Sequence, residues 1–429
     1  MRLSMKRITI ISFILILVLM LSGCSLPGGE TGLMLTPPTL SSRREALTKA
    51  IKSAVGENYE LVYPQEGSDR TGIVPKDLNG DDKTEAICFY RPTSSGAKLG
   101  FLVMENNEDG SWTQLAKVVS SAASVGKVEF GDLNGDGVYE IIVGWQYLSD
   151  ADGSYEIFSI DQGKAVSHHT GLYSSFILMG NQPERMLVLN RNTATKAVTA
   201  TLVGQVEDTF GVINTVAMND RSTEFLNFIS AKTSMGNAAV YLDESLESGQ
   251  TTTEVLVINN QNRLTNELLN QLSSKTLRYT AVPCRDMDND GIPEVPSEEA
   301  LPSYLRNGVQ ENLYLIQWNQ FDGTNLFSKS HSFVDITEKF IVNFPQKWYG
   351  KVTVERQAES DRAFAFKTMK GEQLFVIRVY GLSEYSDELG SEGWRKLYED
   401  SDHIYTVFCQ EENSMQIDYT DVYELFNVI

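Results

Sequence analysis

The chain is poor in the residues that do chemistry. Only four histidines and four cysteines occur among 429 residues. So few cysteines exclude a disulfide scaffold, and neither C-x-x-C nor H-E-x-x-H occurs to bind zinc. G-x-S-x-G and a glycine-rich phosphate loop are also absent, so no nucleophile or nucleotide site is marked. His168 and His169 are adjacent on a strand-like run, where neighbours point to opposite faces and cannot share one metal. Basic residues are scarce too, 36 against 57 acidic, for a formal charge of −21. That acidity repels phosphate and excludes nucleic acid as a partner. With 41% hydrophobic and 10% aromatic residues the chain is too apolar to be disordered, and its length allows two or three domains.

The N-terminus addresses the compartment. Arg2, Lys6 and Arg7 precede an apolar run over residues 8–21, broken only by Thr9 and Ser12, which ends in Leu21-Ser22-Gly23-Cys24. The run is short for a membrane span and is followed by small residues, the pattern of an export signal. The tetrapeptide resembles the bacterial lipobox, which implies cleavage before Cys24 and lipidation of its thiol; an N-terminal anchor helix with an incidental cysteine is the competing reading. Either way the body is expected outside the cytoplasm, held at the extracytoplasmic face of the cell membrane. Without residues 1–23, 33 basic residues face 57 acidic ones, a formal charge of −24. Residues 24–42, with Pro27, Gly28, Gly29, Pro37 and Pro38, lack hydrophobic periodicity and form a flexible tether. A short helix is expected over 43–56, where Leu47, Ile51 and Val55 recur at helical spacing behind Ser41 or Ser42 as N-cap and before Gly56.

Three nonapeptides share the form D-x-[DN]-x-D-[GD]-x-x-E. They run from Asp77 through Asn79, Asp81 and Lys83 to Glu85, from Asp132 through Asn134, Asp136 and Val138 to Glu140, and from Asp286 through Asp288, Asp290 and Ile292 to Glu294. Oxygen ligands at positions 1, 3 and 5, a carbonyl at 7 and a carboxylate at 9 converge if the backbone curls, and such a shell suits Ca²⁺. An EF-hand needs a glutamate at position 12, where this chain has Cys88, Val143 and Ser297. The runs after the first two loops are β-branched and aromatic, which makes these strand-loop-strand units. Asp-Asn-Gly clusters also form metal-free turns, but three ladders with every ligand position filled favour up to three Ca²⁺. Three bound ions would bring the mature chain to −18. In the first loop Asp82 stands where the others have Gly137 and Gly291, which predicts weaker binding there.

On these residues the loops resemble the FG-GAP/VCBS-type calcium loops of integrin-like β-propellers, with residues 131–144 as the nearest copy. The resemblance implies a propeller in which each loop joins the first two strands of a blade, here residues 128–130 and 141–145. The loop glutamates at 85, 140 and 294 leave room for two degenerate units, at Gln182-Pro183-Glu184 and Thr253-Glu254. Turns at Asp109-Gly110, Gln162-Gly163, Asn219-Asp220, Asn260-Gln261 and Asp322-Gly323 suggest one hairpin per unit.

The expected fold is mainly β: a propeller of about five four-stranded blades over 57–330, with six as the alternative count, plus a small α+β domain over 331–429. In that last domain strands are expected at 352–356, 363–367, 374–380 and 404–409, with a helix near 384–399. Its opening, Phe340-Ile-Val-Asn-Phe-Pro-Gln-Lys-Trp348, resembles the start of PsbP/Mog1-like domains. Trp348, Tyr349, Trp394 and Tyr398 either fill a core or line a binding face. Cys88 and Cys409 read as buried thiols, and a Cys88–Cys284 bridge stays open. The functional expectation is a lipid-anchored calcium-binding protein without enzymatic activity, which recognises a polysaccharide or protein ligand or serves a structural role. A glycan-cleaving lyase or hydrolase on a propeller scaffold is the alternative.

Overall fold

The computed structural model describes residues 42–148, 153–180, 182–192, 194–386 and 393–429, with the side chains of residues 42 and 270–273 left out. The export signal, Cys24 and nearly all of the tether lie outside the described residues. A helix spans Ser42–Val55, and Gly56 ends it with φ 101 and an N–H donated to Lys52 O at 2.8 Å. Among the described residues no helix is long and apolar enough to cross a membrane.

The rest is built from antiparallel sheets that follow one another along the chain. The first places Tyr59–Leu61 and Ile73–Lys76 against Glu85–Pro92, then Leu99–Asn106 and Trp112–Ser120. The second runs Ser124–Gly131, Glu140–Gln146, Gly153–Asp161 and Lys164–Tyr173; the third Ser175–Met179, Arg185–Arg191, Val198–Val206 and Thr209–Ala217. The fourth runs Ser222–Lys232, Ala238–Leu246, Thr251–Ile258 and Leu264–Thr265. A helix, Glu267–Thr276, then leads to the third acidic loop.

A fifth sheet orders Val295–Ala300, Tyr314–Phe321, Leu326–Asp335, Phe340–Phe344 and the C-terminal Phe426–Val428. The sixth orders Val352–Arg356, Ala363–Thr368, Gln373–Gly381, His403–Cys409 and Trp394–Glu399. Residue 330, the expected domain limit, falls inside the strand Leu326–Asp335. The C-terminal strand then pairs Phe426 with Val342, so the chain end is woven back into the fifth sheet.

Burial on both faces explains why central strands are apolar without a break. In Glu140–Gln146, Ile141, Val143 and Trp145 pack with Phe89 and Phe101 of the first sheet, while Ile142 packs with Phe176 and Val188 of the third. Gly144 is needed there because a Cβ would lie 2.4 Å from the Tyr173 hydroxyl. Further cores join the third to the fourth sheet, the fourth to the fifth, and the fifth to the sixth. The other face of the first sheet, with Ala86, Cys88, Tyr90 and Leu102, is covered by Leu47 and Ile51 of the first helix. Among the described residues no core cluster joins the first sheet to the fifth or sixth.

Three local expectations are corrected. The expected helix near 384–399 is in part the strand Trp394–Glu399, because Asp400 closes a hairpin by accepting from the Asp402 and His403 N–H groups at 2.7 Å each; residues 387–392 lie outside the described residues. Thr253-Glu254 lies on the third strand of its sheet, not at a sheet opening, whereas Glu184 does precede a second strand. Asn219-Asp220 links the third sheet to the fourth; the other four turns named above close hairpins. Among the described residues Cys88, Cys284 and Cys409 are free thiols; Cys88 is buried as expected, as is Cys284, whereas Cys409 is only half-buried.

Candidate metal centres

The first two acidic loops each connect neighbouring antiparallel strands, Ile73–Lys76 to Glu85–Pro92 and Ser124–Gly131 to Glu140–Gln146. The third ends at Val295–Ala300 and is closed by an isolated bridge between Arg285 and Glu294. One hydrogen-bond frame recurs in all three. The position-1 carboxylate accepts from backbone N–H groups that curl over it: Gly80 and Asp82 to Asp77 at 2.9 and 3.0 Å, Gly135 and Gly137 to Asp132 at 2.6 and 3.1 Å, Asp290 and Gly291 to Asp286 at 3.2 and 2.8 Å. The position-5 carboxylate accepts from position 7, so Asp81, Asp136 and Asp290 hold the N–H groups of Lys83, Val138 and Ile292 at 2.8 to 2.9 Å. The position-9 glutamate reaches back to the N–H of position 2: Glu85 to Leu78 at 2.8 Å, Glu140 to Leu133 at 2.8 Å and Glu294 to Met287 at 2.7 Å. In the first two loops Oδ1 of Asn79 and of Asn134 accepts from the backbone N–H of Asp81 and Asp136 at 3.0 and 2.8 Å.

Tight curling demands left-handed backbone at position 6. Gly137 and Gly291 take φ 88 and 83, and Asp82 takes φ 61 at the corresponding point.

The loops differ in how far their ligands converge. In the third, one oxygen each from Asp286, Asp288 and Glu294 lie within 4.8 Å of one another, an arrangement that can hold a metal ion. Lys329 sits 3.4 Å from Asp288 and 3.8 Å from Asp290, and Gln320 donates to Asp290 at 2.6 Å and to Glu294 at 2.9 Å. In the second loop position 3 is an amide: Asn134 Nδ2 donates to Asp136 at 2.9 Å and to Glu140 at 3.1 Å. In the first, Glu85 Oε1 is buried without a hydrogen-bond partner among the described residues, and Lys83 Nζ stands 4.0 Å from both Asp81 and Glu108.

These carboxylates strain against one another. Burial, then the neighbouring aspartates, raises the Glu140 pKa to about 7 and pushes Glu85 and Glu294 upward in the same direction. The hydrogen bond from Gln320 lowers that of Asp290. A hard cation relieves such repulsion, and the donor set, with the orphaned Glu85 oxygen, fits one.

Gln320, Lys329 and Glu184 went unnoticed as loop partners in the sequence. Gln320 and Lys329 reach the third loop from different strands of the fifth sheet, and nothing in the local sequence marks them. Glu184 accepts from Asp132 N–H at 3.1 Å and donates its own N–H to Asp132 O at 2.8 Å, bracing the second loop from the third sheet.

The family model for an FG-GAP-like repeat matches residues 77–143, a stretch that spans the first two loops. The match supports the integrin-like reading of these repeats. No curated protein matches the chain by sequence. Similar solved structures include a GH32 beta-fructofuranosidase of Bombyx mori, at 10% identity and TM-score 0.26 over 80% of each chain. Another is a protein from Lactobacillus plantarum, at 12% identity and TM-score 0.17 over 66% of this chain and 91% of that one. Likeness at this level transfers no activity.

Proposed function

We propose that the chain is a calcium-stabilised, lipid-anchored protein of the extracytoplasmic membrane face, whose successive sheets act as propeller-type blades that carry a recognition surface. The observation behind this reading is the single hydrogen-bond frame shared by three loops, each with inward carboxylates that repel one another. Asp77, Asn79, Asp81, the Lys83 carbonyl and Glu85 form the first proposed Ca²⁺ site. Asp132, Asn134, Asp136, the Val138 carbonyl and Glu140 form the second; Asp286, Asp288, Asp290, the Ile292 carbonyl and Glu294 the third. When bound, Ca²⁺ supplies charge neutralisation and a tie between strands rather than a reaction step.

The division into tether, blades and C-terminal module, with a PsbP/Mog1-like opening at Phe340, belongs to the same reading. Non-loop carboxylates give little support to glycan cleavage. Glu244 and Glu254, for example, are 0% and 2% exposed between sheets, where a glycan does not reach.

The anchoring half is tested by labelling with a radioactive fatty acid: wild-type protein is expected to incorporate the label at Cys24 and Cys24→Ala to incorporate none, and an unlabelled wild-type chain counts against lipidation. The recognition half is tested on a glycan panel. Saturable binding without cleavage supports it, and cleavage that disappears on replacing a non-loop carboxylate overturns it.

A further inference from the structure

The third acidic loop already holds a cation of the chain's own. Lys329 Nζ lies 3.4 Å from Asp288 Oδ2 and 3.8 Å from Asp290 Oδ2, at positions 3 and 5 of the ligand ladder. Beside it, Gln320 Nε2 donates to the same Asp290 oxygen at 2.6 Å and to Glu294 Oε1 at 2.9 Å. Three of the proposed Ca²⁺ donors are thus engaged by side chains from two neighbouring strands of the fifth sheet.

A slip of register puts the ammonium there. Where Tyr314–Phe321 pairs with Leu326–Asp335, Trp318 faces Ser330 and Asn319 faces Ser328, so Lys329 is the extra residue of a β-bulge. A bulge takes one side chain out of the alternation of its strand and re-aims it. The same slip recurs between the last two strands of each of the first three sheets, where the extra residues are Leu115, His168 and Ile213. Leu115 and Ile213 pack into the cores between sheets, and His168 lies against Phe210. Of these four bulges, the one in the fifth sheet carries a cation to an acidic loop.

Electrostatics gives the consequence a sign. An ammonium brings three donors and one positive charge to carboxylates that otherwise repel one another. Ca²⁺ needs six to eight oxygens, Asp288 and Asp290 among them, and is repelled by a cation held at this distance. We propose that Lys329 is a built-in counter-ion of the third loop, which holds the ladder together at low calcium and raises the calcium concentration needed to fill that site. The proposal rests on the calcium reading and adds the regulation of one of its sites.

The test is calcium titration of the full chain by calorimetry, with melting temperatures measured in EDTA and in calcium. Lys329→Met and Lys329→Gln remove the charge, and Lys329→Arg keeps it. Lys49→Met makes the same change of net charge at an exposed position on the helix that covers the first sheet. The Lys329 side chain is 40% exposed, so solvent screening limits the expected gain for Met and Gln to about tenfold in the affinity of one step. Both variants are expected to melt lower than wild type in EDTA and to recover in calcium. Lys329→Arg and Lys49→Met are expected to bind as wild type, and the gain is expected to vanish when Asp286→Ala is combined with Lys329→Met.

The inference is overturned if Met and Gln bind calcium no more tightly than wild type, if Arg or Lys49→Met tightens binding as much, or if the gain survives Asp286→Ala. Calcium uptake in any of these cases leaves the calcium reading standing. If neither wild type nor Lys329→Met takes up calcium, both fall.

Discussion

Glu184 and Asp132 hold each other by two hydrogen bonds: the Glu184 carboxylate accepts from the Asp132 N–H at 3.1 Å, and the Glu184 N–H donates to the Asp132 carbonyl at 2.8 Å. The second acidic loop is thereby braced by the sheet that follows it, and Pro183 packs over Gly135 at the same junction. Glu184→Ala removes the side-chain half of this brace. It is expected to cost about 1–3 kcal/mol, because the Asp132 N–H loses its charged partner, and to weaken calcium binding at the second loop. Thermal melts with and without calcium check both effects.

Asp82 occupies the left-handed position that glycine fills in the other two loops. Asp82→Gly relieves a backbone cost of about 1–2 kcal/mol, but glycine also loosens the unfolded chain by about 0.4–1 kcal/mol. Metal-free stability is therefore expected to change little, while the weakest step of a calcium titration tightens. An unchanged or weaker step in calorimetry contradicts this.

Acidity bears on the loops with a definite sign. The Glu140 pKa stands at about 7 in the metal-free fold against an ordinary 4.5, so between those values the folded chain holds a proton the unfolded chain has lost. Metal-free stability accordingly falls as pH rises through that window. Glu254, also raised to about 7 by burial, contributes in the same direction. Calcium favours the ionised Glu140, so the stabilisation it gives is expected to grow as pH rises over the same range. Proton release on calcium addition, measured by calorimetry in two buffers of different ionisation enthalpy, checks the linkage.

Arg278 and Asp243 form a fully buried pair at 2.7 Å at the base of the third loop. Asp243 also accepts from the Cys284 N–H at 2.7 Å, and Arg278 donates to Thr276 O and Val282 O. Arg278→Ala is expected to cost about 3–5 kcal/mol because it leaves a buried charge uncompensated. Replacing both residues by apolar ones is not expected to recover this, since the Cys284 N–H stays orphaned. Urea unfolding of the two variants tests the claim.

The acidic loops were legible because ligand chemistry is local: nine residues at fixed spacing announce both the curl and the strands around it. The strands of the sixth sheet were legible for a similar reason, as the short β-branched or aromatic runs at 352–356 and 363–367 need no distant partner to be read. The long-range closures were not. Nothing near Phe426 shows that it will pair with Val342, and nothing near Leu47 shows that it will cover Cys88 and Leu102. Trp394–Glu399 was misread because its helix-compatible composition yields to pairing with His403–Cys409, a preference set by the tertiary partner. In the site itself, Gln320 lies 30 residues from the Asp290 it contacts, beyond any local pattern.

The central claim, that the three loops bind calcium in the folded chain, is tested most directly by thermal melting of the full chain in calcium and in EDTA. Calcium at a hundredfold excess over Kd adds about 2.7 kcal/mol for each site that binds only the native state. The account predicts a melting temperature that rises with calcium, reverses in EDTA, and loses part of the rise in Asp286→Ala. A melting temperature identical in calcium and EDTA contradicts it.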